Sequence, residues 1–103
     1  MLSDAKMLEE LGCFGVVLEK IPAALAKKVA ESISIPVIGI GAGAATDAQV
    51  LVMHDMLGVN LGRPAKFVKN FMAEADSIEG AFVAYHEAVK AGHFPGSEHA
   101  FSA

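Results

Sequence analysis

The chain has 103 residues, a formal net charge of −4 and 53% hydrophobic residues. This length allows one small domain with its own core, and the acidic balance argues against a nucleic-acid footprint. Cys13 is the only cysteine, so no disulfide can form within the chain and a reducing compartment is expected. No apolar run reaches the roughly 18 residues of a membrane span, and the first residues do not resemble a secretory signal. We therefore expect a soluble, cytoplasmic protein that binds neither nucleic acid nor membrane.

The first half of the chain alternates between predicted helices and strands. Residues 2–11 have helical spacing, and Gly12 stands where that helix would end. Residues 14–18 then form a buried strand. Pro22 opens a second helix that continues to residue 33, because proline is tolerated in the first helical turn. Residues 35–40 form a second buried strand.

The second half of the chain continues this alternation. Thr46 with Gln49 three residues later is a capping-box signature, and it predicts a third helix that Gly58 would end. Residues 66–71 are predicted to be a short third strand. Another capping box, Asp76 with Glu79, opens a last helix that ends at Gly92. Residues 93–103 are expected to be an irregular tail.

The predicted order is therefore α-β-α-β-α-β-α. Continuous apolar strands that alternate with amphipathic helices indicate an α/β fold, with a parallel sheet covered by helices. No strand precedes the first helix, so the chain begins inside a repeating βα pattern, as a fragment would.

A carboxylate stands at the end of the first predicted strand. Glu19 closes the apolar run "VVLE", and functional groups of parallel α/β sheets gather beyond the carboxyl ends of the strands. A glutamate in this position is a candidate general base. The alternative is a solvated glutamate that begins the loop, paired with Lys20.

The sequence "GIGAGA" at residues 39–44 matches the relaxed dinucleotide fingerprint G-x-G-x-x-G/A after a strand. No acidic residue ends a second strand about twenty residues later, and Asp47 is unfavourable to a pyrophosphate. We favour a tight strand-to-helix turn whose small residues allow the backbone to approach a ligand or a neighbouring loop closely. A nucleotide-binding half-domain built on Gly39, Gly41 and Gly43 is the lesser alternative.

The histidines do not form a metal-binding pattern. His54 and Asp55 are neighbours on a predicted helix and point in different directions, so His54 is expected to pack or to serve a polar structural role. His86 is expected on a helix surface, and His93 and His99 in the tail; no group has zinc spacing.

Other candidate residues have structural interpretations. Cys13 is expected to be a small buried residue. The cations Arg63, Lys66 and Lys69 are expected to face solvent, with contact to an anionic substrate as the alternative. The last helix has an apolar stripe that would cover this domain or pack on another subunit: Ile78, Phe82, Tyr85 and Val89.

Four segments together resemble a known family: "VVLEKIP", "IPVIGIGAGAATDAQVLVMHDMLG", "PAKFVKNF" and "GHFPGSEHAF". In order and spacing they are similar to the C-terminal part of ketopantoate hydroxymethyltransferase (3-methyl-2-oxobutanoate hydroxymethyltransferase). This resemblance covers nearly the whole chain. It implies a (β/α)₈ TIM barrel of the phosphoenolpyruvate mutase/isocitrate lyase type, of which this chain would supply about strands 6–8 with their helices. Residues 1–103 would be one partial barrel, with βα units in 1–92 and a tail in 93–103.

The resemblance also implies a reaction. The family transfers a one-carbon, hydroxymethyl unit from 5,10-methylenetetrahydrofolate to 3-methyl-2-oxobutanoate, giving 2-dehydropantoate (ketopantoate) for pantothenate and coenzyme A biosynthesis. Its Mg²⁺ holds the keto acid, and its general base lies in an "LE-x-[IV]-P" context that Glu19 matches. The family's metal ligands and most of its substrate site come from the N-terminal half of the barrel. No metal or cofactor ligand is therefore expected in this chain.

Strands taken from a closed barrel have two free edges and an apolar inner face. We expect the chain to form a homo-oligomer, to bind the missing N-terminal half or to fold loosely, and to be inactive alone. The alternative is a non-catalytic remnant that serves as an oligomerisation or interaction module.

Overall fold

The computed structural model describes residues 1–60 and 62–102. Its helices are α1 (Leu2–Glu10), α2 (Ala23–Ser32), α3 (Met53–Met56) and α4 (Ile78–Lys90). Its strands are β1 (Val16–Glu19), β2 (Val37–Ile40) and β3 (Ala48–Gln49), and a 3₁₀ turn (Ser97–His99) follows α4. Of the helices in this part of the chain, none is long and apolar enough to cross a membrane.

The three strands form one parallel sheet in the order β1-β2-β3. Val16 pairs with Val37 and Glu19 with Ile40, so β1 and β2 begin and end together. Both strands are rich in valine, isoleucine and leucine, which fit a pleated, half-buried surface. The α/β class and the parallel sheet predicted from the alternating pattern are confirmed.

The helices cover one face of this sheet. Val16 and Leu18 of β1 are buried, whereas Val17 and Glu19, which alternate with them, are exposed. Below the buried face, α1 and α2 contribute to a first apolar cluster. The members of this cluster that are buried are Ala5, Val16, Leu18, Ile21, Ala26, Val29, Ile33, Val37 and Ala42.

The opposite face of the sheet is only partly covered, through contact of Ile40 with the apolar cluster that contains Phe67. Val17 is 60% exposed, although burying a valine side chain is worth about 1.5–3 kcal/mol. Ile38 and Ile40 of β2 lie in register with Val17 and Glu19 and are only half-buried. We call this surface, formed by Val17, Glu19, Ile38 and Ile40, the open face.

A second apolar cluster lies beneath α4. Its buried members are Leu51, Met56, Phe67, Phe71, Ala81 and Phe94. The Phe71 ring meets Tyr85 edge-on, with centroids 5.4 Å apart, and meets Phe94 in the same way at 5.3 Å. The Tyr85 hydroxyl is buried without a hydrogen-bond partner in the described part of the chain. This burial raises the pKa of Tyr85.

The prediction of a long third helix after Thr46 is wrong. The Thr46 hydroxyl donates to the Ala48 carbonyl at 2.9 Å, and the Gln49 amide donates to Thr46 Oγ1 at 3.1 Å and to the Gly43 carbonyl at 2.8 Å. The two residues of the expected capping box therefore stabilise a turn. β3 follows that turn, and the helix is confined to Met53–Met56.

The predicted third strand at residues 66–71 is also wrong, because these residues form turns and irregular backbone. Phe67 and Phe71 are both buried in the second cluster, and the Phe71 amide donates to the Met56 carbonyl at 2.8 Å. The apolar residues of this segment thus fill the core beside α3 and do not extend the sheet.

The N-cap of the last helix lies one residue after the predicted cap at Asp76. Ser77 is the N-cap, and its hydroxyl accepts the Gly80 amide at 2.9 Å. The tail expected to be irregular contains the 3₁₀ turn, and Phe101 then forms a parallel bridge with Pro22.

Candidate functional site

Glu19 is the last residue of β1 and lies at the carboxyl end of the sheet. Its side chain is exposed and shares the open face with Val17 and with Ile40, its neighbour in register. The carboxylate therefore stands next to apolar side chains at the edge where parallel α/β sheets carry their functional groups.

The backbone turns sharply immediately after Glu19. Lys20 has a φ of 52°, in the left-handed region, which costs a residue with a Cβ roughly 1–2 kcal/mol. Its amide donates to the Ile40 carbonyl at 2.9 Å, which extends the β1–β2 pairing by one bond. Ile21 is then buried, and Pro22 precedes α2. Glu19 is exposed, as the solvated alternative expects, but no ion pair joins it to Lys20 among the described side chains.

The glycine-rich turn after β2 lies beside this segment. Gly41 and Gly43 both have positive φ, of 67° and 81°. A Cβ on Gly43 would come within 2.6 Å of the Ala23 Cβ, and one on Gly41 within 3.0 Å of the Phe67 ring. The close backbone approach is confirmed, to Ala23 and to Phe67, but the expected strand-to-helix turn is wrong because the turn leads into a strand. Since β3 and not a helix follows the turn, the strand–turn–helix context of the dinucleotide fingerprint is missing.

The structure does not bring the histidines together. His54 is exposed on α3, although it was expected to pack or to serve a polar structural role, and His86 and His93 are also exposed. His99 accepts the Gly96 amide through Nδ1 at 3.0 Å. Asp55 contacts the side-chain amide of Asn60. Within residues 1–60 and 62–102, no three histidine, cysteine or acidic side chains are placed to hold a metal ion.

The other candidates are surface or core residues. Cys13 is only half-buried, which corrects the expectation of burial. Lys66 and Lys69 are exposed, and each places its Nζ over a ring: Lys66 lies 5.2 Å from the Phe101 centroid and Lys69 5.0 Å from that of Phe71. Arg63 is exposed as well.

The apolar stripe of α4 is divided between two environments. Tyr85 and Val89 pack on the second cluster, whereas Ile78 and Phe82 are exposed. The stripe thus covers the domain with one part and leaves the other part at the surface.

Sequence reasoning missed Phe101 at this end of the sheet. Its carbonyl accepts the Ala23 amide at 2.9 Å, and its ring lies 6.5 Å from the ring of Phe67. Periodicity gave no indication of this contact. The available signal was the presence of two phenylalanines, Phe94 and Phe101, in an otherwise polar tail.

Comparison with known proteins identifies the family. The family profile described as ketopantoate hydroxymethyltransferase matches residues 1–97. A 3-methyl-2-oxobutanoate hydroxymethyltransferase 2 from Hahella chejuensis is 57% identical over 102 residues, covering 99% of this chain and 39% of that protein. A protein of the same name from Pseudomonas fluorescens is 59% identical over 104 residues, covering 100% and 39%.

A third relative, the 3-methyl-2-oxobutanoate hydroxymethyltransferase of Chromobacterium violaceum, is 57% identical over 101 residues, covering 98% of this chain and 38% of that protein. The chain therefore spans about two fifths of the length of these curated relatives. The profile match and the level of identity agree with the motifs around Glu19 and the glycine-rich turn. On this combined basis, the chain belongs to the ketopantoate hydroxymethyltransferase family.

Proposed function

We propose that this chain is the C-terminal part of a ketopantoate hydroxymethyltransferase, supplying about strands 6–8 of its barrel, and that Glu19 is the general base. The observation that carries the proposal is the position of Glu19. It ends a parallel strand, lies on the open face beside Ile40 and stands in the "LEKIP" context of the family. The family membership supports the reaction class, and the geometry supports the choice of residue.

The proposed role of Glu19 is a single proton transfer. The substrate 3-methyl-2-oxobutanoate has an acidic C–H bond on the carbon next to its keto group. Breaking that bond leaves the electron pair in an enolate, and the proton forms an O–H bond on the Glu19 carboxylate. The enolate carbon then bonds to the methylene carbon of 5,10-methylenetetrahydrofolate, whose two C–N bonds break. One water molecule supplies the new hydroxyl group, and the products are 2-dehydropantoate and tetrahydrofolate. A positioned carboxylate contributes typically 10²- to 10⁴-fold to such a step.

The family resemblance implies a Mg²⁺ ion, and the described residues do not fit it. Glu19 belongs to no group of three or more histidine, cysteine or acidic side chains that could hold a metal ion in the described part of the chain. We therefore assign no step through the ion to these residues. In our proposal its ligands belong to the N-terminal half of the family barrel.

A complete site needs a partner in this proposal. The open face exposes Val17 and leaves the β1 edge of the sheet without a neighbouring strand in the described residues, as expected for part of a closed barrel. We propose that an N-terminal half covers this face in the cytoplasm, that the assembled enzyme is a homo-oligomer, and that the chain alone has no transferase activity.

The test is a chimera in which this chain replaces the matching segment of the Hahella chejuensis relative. Two activities are measured with Mg²⁺ present: exchange of the C3 proton of 3-methyl-2-oxobutanoate for deuterium, and folate-dependent formation of 2-dehydropantoate. We expect both in the chimera and neither in the chain alone. Glu19→Gln should lower both about 10²- to 10⁴-fold.

The matched control is Glu31→Gln, which alters an exposed glutamate on α2. This variant should retain the activity of the chimera. Full deuterium exchange in the Glu19→Gln chimera would exclude Glu19 as the base, and turnover by the chain alone would refute the need for a partner.

A second candidate function is a non-catalytic interaction module. It is favoured by the exposed Val17 side chain and by the two isoleucines beside it, which are only half-buried. It predicts an inactive chimera together with an isolated chain that binds other copies through the open face. An active chimera would eliminate this candidate.

A further inference from the structure

A series of contacts starts at Glu19, passes through the C-terminal tail and returns to the strand beside Glu19. Glu19 lies beside Ile40 in the sheet, and the next residue, Lys20, donates its amide to the Ile40 carbonyl at 2.9 Å. From Lys20 the chain continues to Pro22, which bridges to Phe101. The ring of Phe101 lies against Phe67, and Phe67 packs on Gly41, the residue after Ile40. We call this set of contacts the Glu19 contact network.

Phe101 provides the hydrogen bond that begins α2. The first amides of a helix have no acceptor within the helix, and the N-cap of α2 is Pro22, which has no side-chain cap. The Phe101 carbonyl accepts the Ala23 amide at 2.9 Å. A residue from the tail therefore satisfies the first helical amide, whereas a serine or aspartate cap accepts from the second or third.

The side chain of Phe101 holds this carbonyl in place. Its ring is 6.5 Å from the ring of Phe67 at an interplanar angle of 57°, and Lys66 Nζ lies 5.2 Å from its centroid. Phe67 is buried and so close to Gly41 that a Cβ there would come within 3.0 Å of the ring. The tail is thus fixed against the turn that follows β2.

The segment held by Phe101 carries backbone strain. Lys20 keeps a left-handed φ of 52°, and a residue with a Cβ stays in this region when its surroundings hold it there. Two hydrogen bonds bracket the segment: the Lys20 amide to Ile40 at one end and the Ala23 amide to Phe101 at the other. Loss of the second bond would allow Lys20 to relax and Glu19 to change direction.

We propose that Phe101 is a positioning residue for Glu19. By capping α2 it fixes the turn from Lys20 to Ala23, and this turn fixes the direction of the Glu19 carboxylate at the end of β1. The inference rests on the proposed function for its catalytic consequence. Its structural part, the coupling of the tail to the Lys20 turn, stands on the contacts alone.

The test uses Phe101→Gly, which removes the ring, and Phe101→Leu, which retains apolar bulk. Ala23→Pro deletes the amide that donates to the Phe101 carbonyl. Ala23 is the first helical residue, where proline is tolerated. The ψ of 135° at Pro22 is also compatible with a proline in the next position. The matched control is Phe14→Gly, since Phe14 is 93% exposed and lies outside the Glu19 contact network.

Amide hydrogen exchange in the 103-residue chain is the first readout. Phe101→Gly and Ala23→Pro should each accelerate exchange of the Lys20 amide about tenfold or more, because local opening of the turn becomes easier. Phe101→Leu should recover most of the protection, and Phe14→Gly should leave it unchanged. Equal Lys20 exchange in the wild-type, Phe101→Gly and Ala23→Pro chains would overturn the inference.

Kinetics of C3 deuterium exchange in the chimera are the second readout. Misplacement of a catalytic group by about 1 Å costs on the order of 100-fold, so Phe101→Gly should lower kcat about 10- to 100-fold with KM changed less than about threefold. Phe101→Leu should restore most of kcat. A kcat equal to that of the Phe14→Gly control would overturn the positioning role. If the unaltered chimera shows no deuterium exchange, the proposed function fails, and the amide data alone decide whether Phe101 orders the turn.

Discussion

Asp47 and Val37 bind each other through two reciprocal hydrogen bonds. The Val37 amide donates to Asp47 Oδ2 at 2.8 Å, and the Asp47 amide donates to the Val37 carbonyl at 2.9 Å. Val37 is fully buried at the start of β2, so its amide depends on a protein acceptor. The aspartate that appeared unfavourable to a pyrophosphate thus closes the turn between β2 and β3.

Replacing Asp47 should destabilise the protein through the Val37 amide. Asp47→Ala leaves this donor without its acceptor, and the expected cost is about 1–3 kcal/mol in the free energy of unfolding. Asp47→Asn retains a carbonyl oxygen at the same position and should cost less. Urea unfolding followed by circular dichroism, at one protein concentration, measures both. Equal stability of the alanine variant and the wild type would show that this hydrogen bond makes no net contribution.

Gly43 and Gly12 are a matched pair of positions, which separates the stability cost of backbone strain from that of a steric clash. Both have positive φ, of 81° and 96°, but a Cβ on Gly12 would meet nothing within 4 Å. Gly12→Ala should therefore cost only the backbone strain, roughly 1–2 kcal/mol. Gly43→Ala adds a clash with the Ala23 Cβ and should cost about 1–3 kcal/mol more. Urea midpoints that are equal for the two variants would contradict the close approach of the turn to α2.

The contact between Glu9 and Ser34 should make stability depend on pH in the acid range. Glu9 Oε1 accepts the Ser34 hydroxyl at 2.5 Å and the Ser34 amide at 2.7 Å. These hydrogen bonds lower the pKa of Glu9 from its usual 4.5. The bond from the Ser34 hydroxyl has the larger effect and the bond from the Ser34 amide the next. Since the unfolded chain then binds more protons, this contribution is complete above pH 4.5 and is lost as the pH falls through the lower, folded pKa.

Ser34→Ala should raise the pKa of Glu9 towards its usual value and weaken this dependence below pH 4.5. Carbon-13 NMR titration of the Glu9 carboxylate measures the pKa directly. Ser32→Ala is the control, because the Ser32 hydroxyl donates to the Lys28 carbonyl of its own helix. A Glu9 pKa that is identical in the wild type and in Ser34→Ala would disprove the assigned cause.

The open face should cause the isolated chain to self-associate. Val17→Glu places a charge on this face and should shift sedimentation velocity profiles towards the monomer. Leu11→Glu is the control, because Leu11 is 74% exposed at the end of α1, outside the open face. A wild-type chain that stays monomeric at all concentrations and unfolds in one sharp transition would count against the prediction.

Much of the fold was predictable because periodicity and stop signals agreed. The helices α1, α2 and α4 lie within a few residues of their predicted bounds, and β1 and β2 occupy the two apolar runs. Gly12 and Gly92 have the positive φ expected after helix ends. Glu19 was placed correctly at the end of β1, since this placement needed only the end of a strand.

Two errors came from patterns that different structures share. Thr46 and Gln49 have capping-box spacing, but their side chains bond within a turn, and β3 (Ala48–Gln49) lies where the helix was predicted to begin. Residues 66–71 contain Phe67 and Phe71, which fill a core from irregular backbone. A short apolar run does not by itself distinguish a strand from such a segment. The role of Phe101 depended on a long-range contact, which local pattern does not encode.

The bridge between Pro22 and Phe101 has a consequence for biosynthesis. A ribosome makes Phe101 about eighty residues after Glu19, which takes roughly 4–16 s at 5–20 residues per second. During that interval α2 lacks the carbonyl that accepts its Ala23 amide. The candidate base is therefore made well before the contact that caps the following helix, which forms only when Phe101 has emerged.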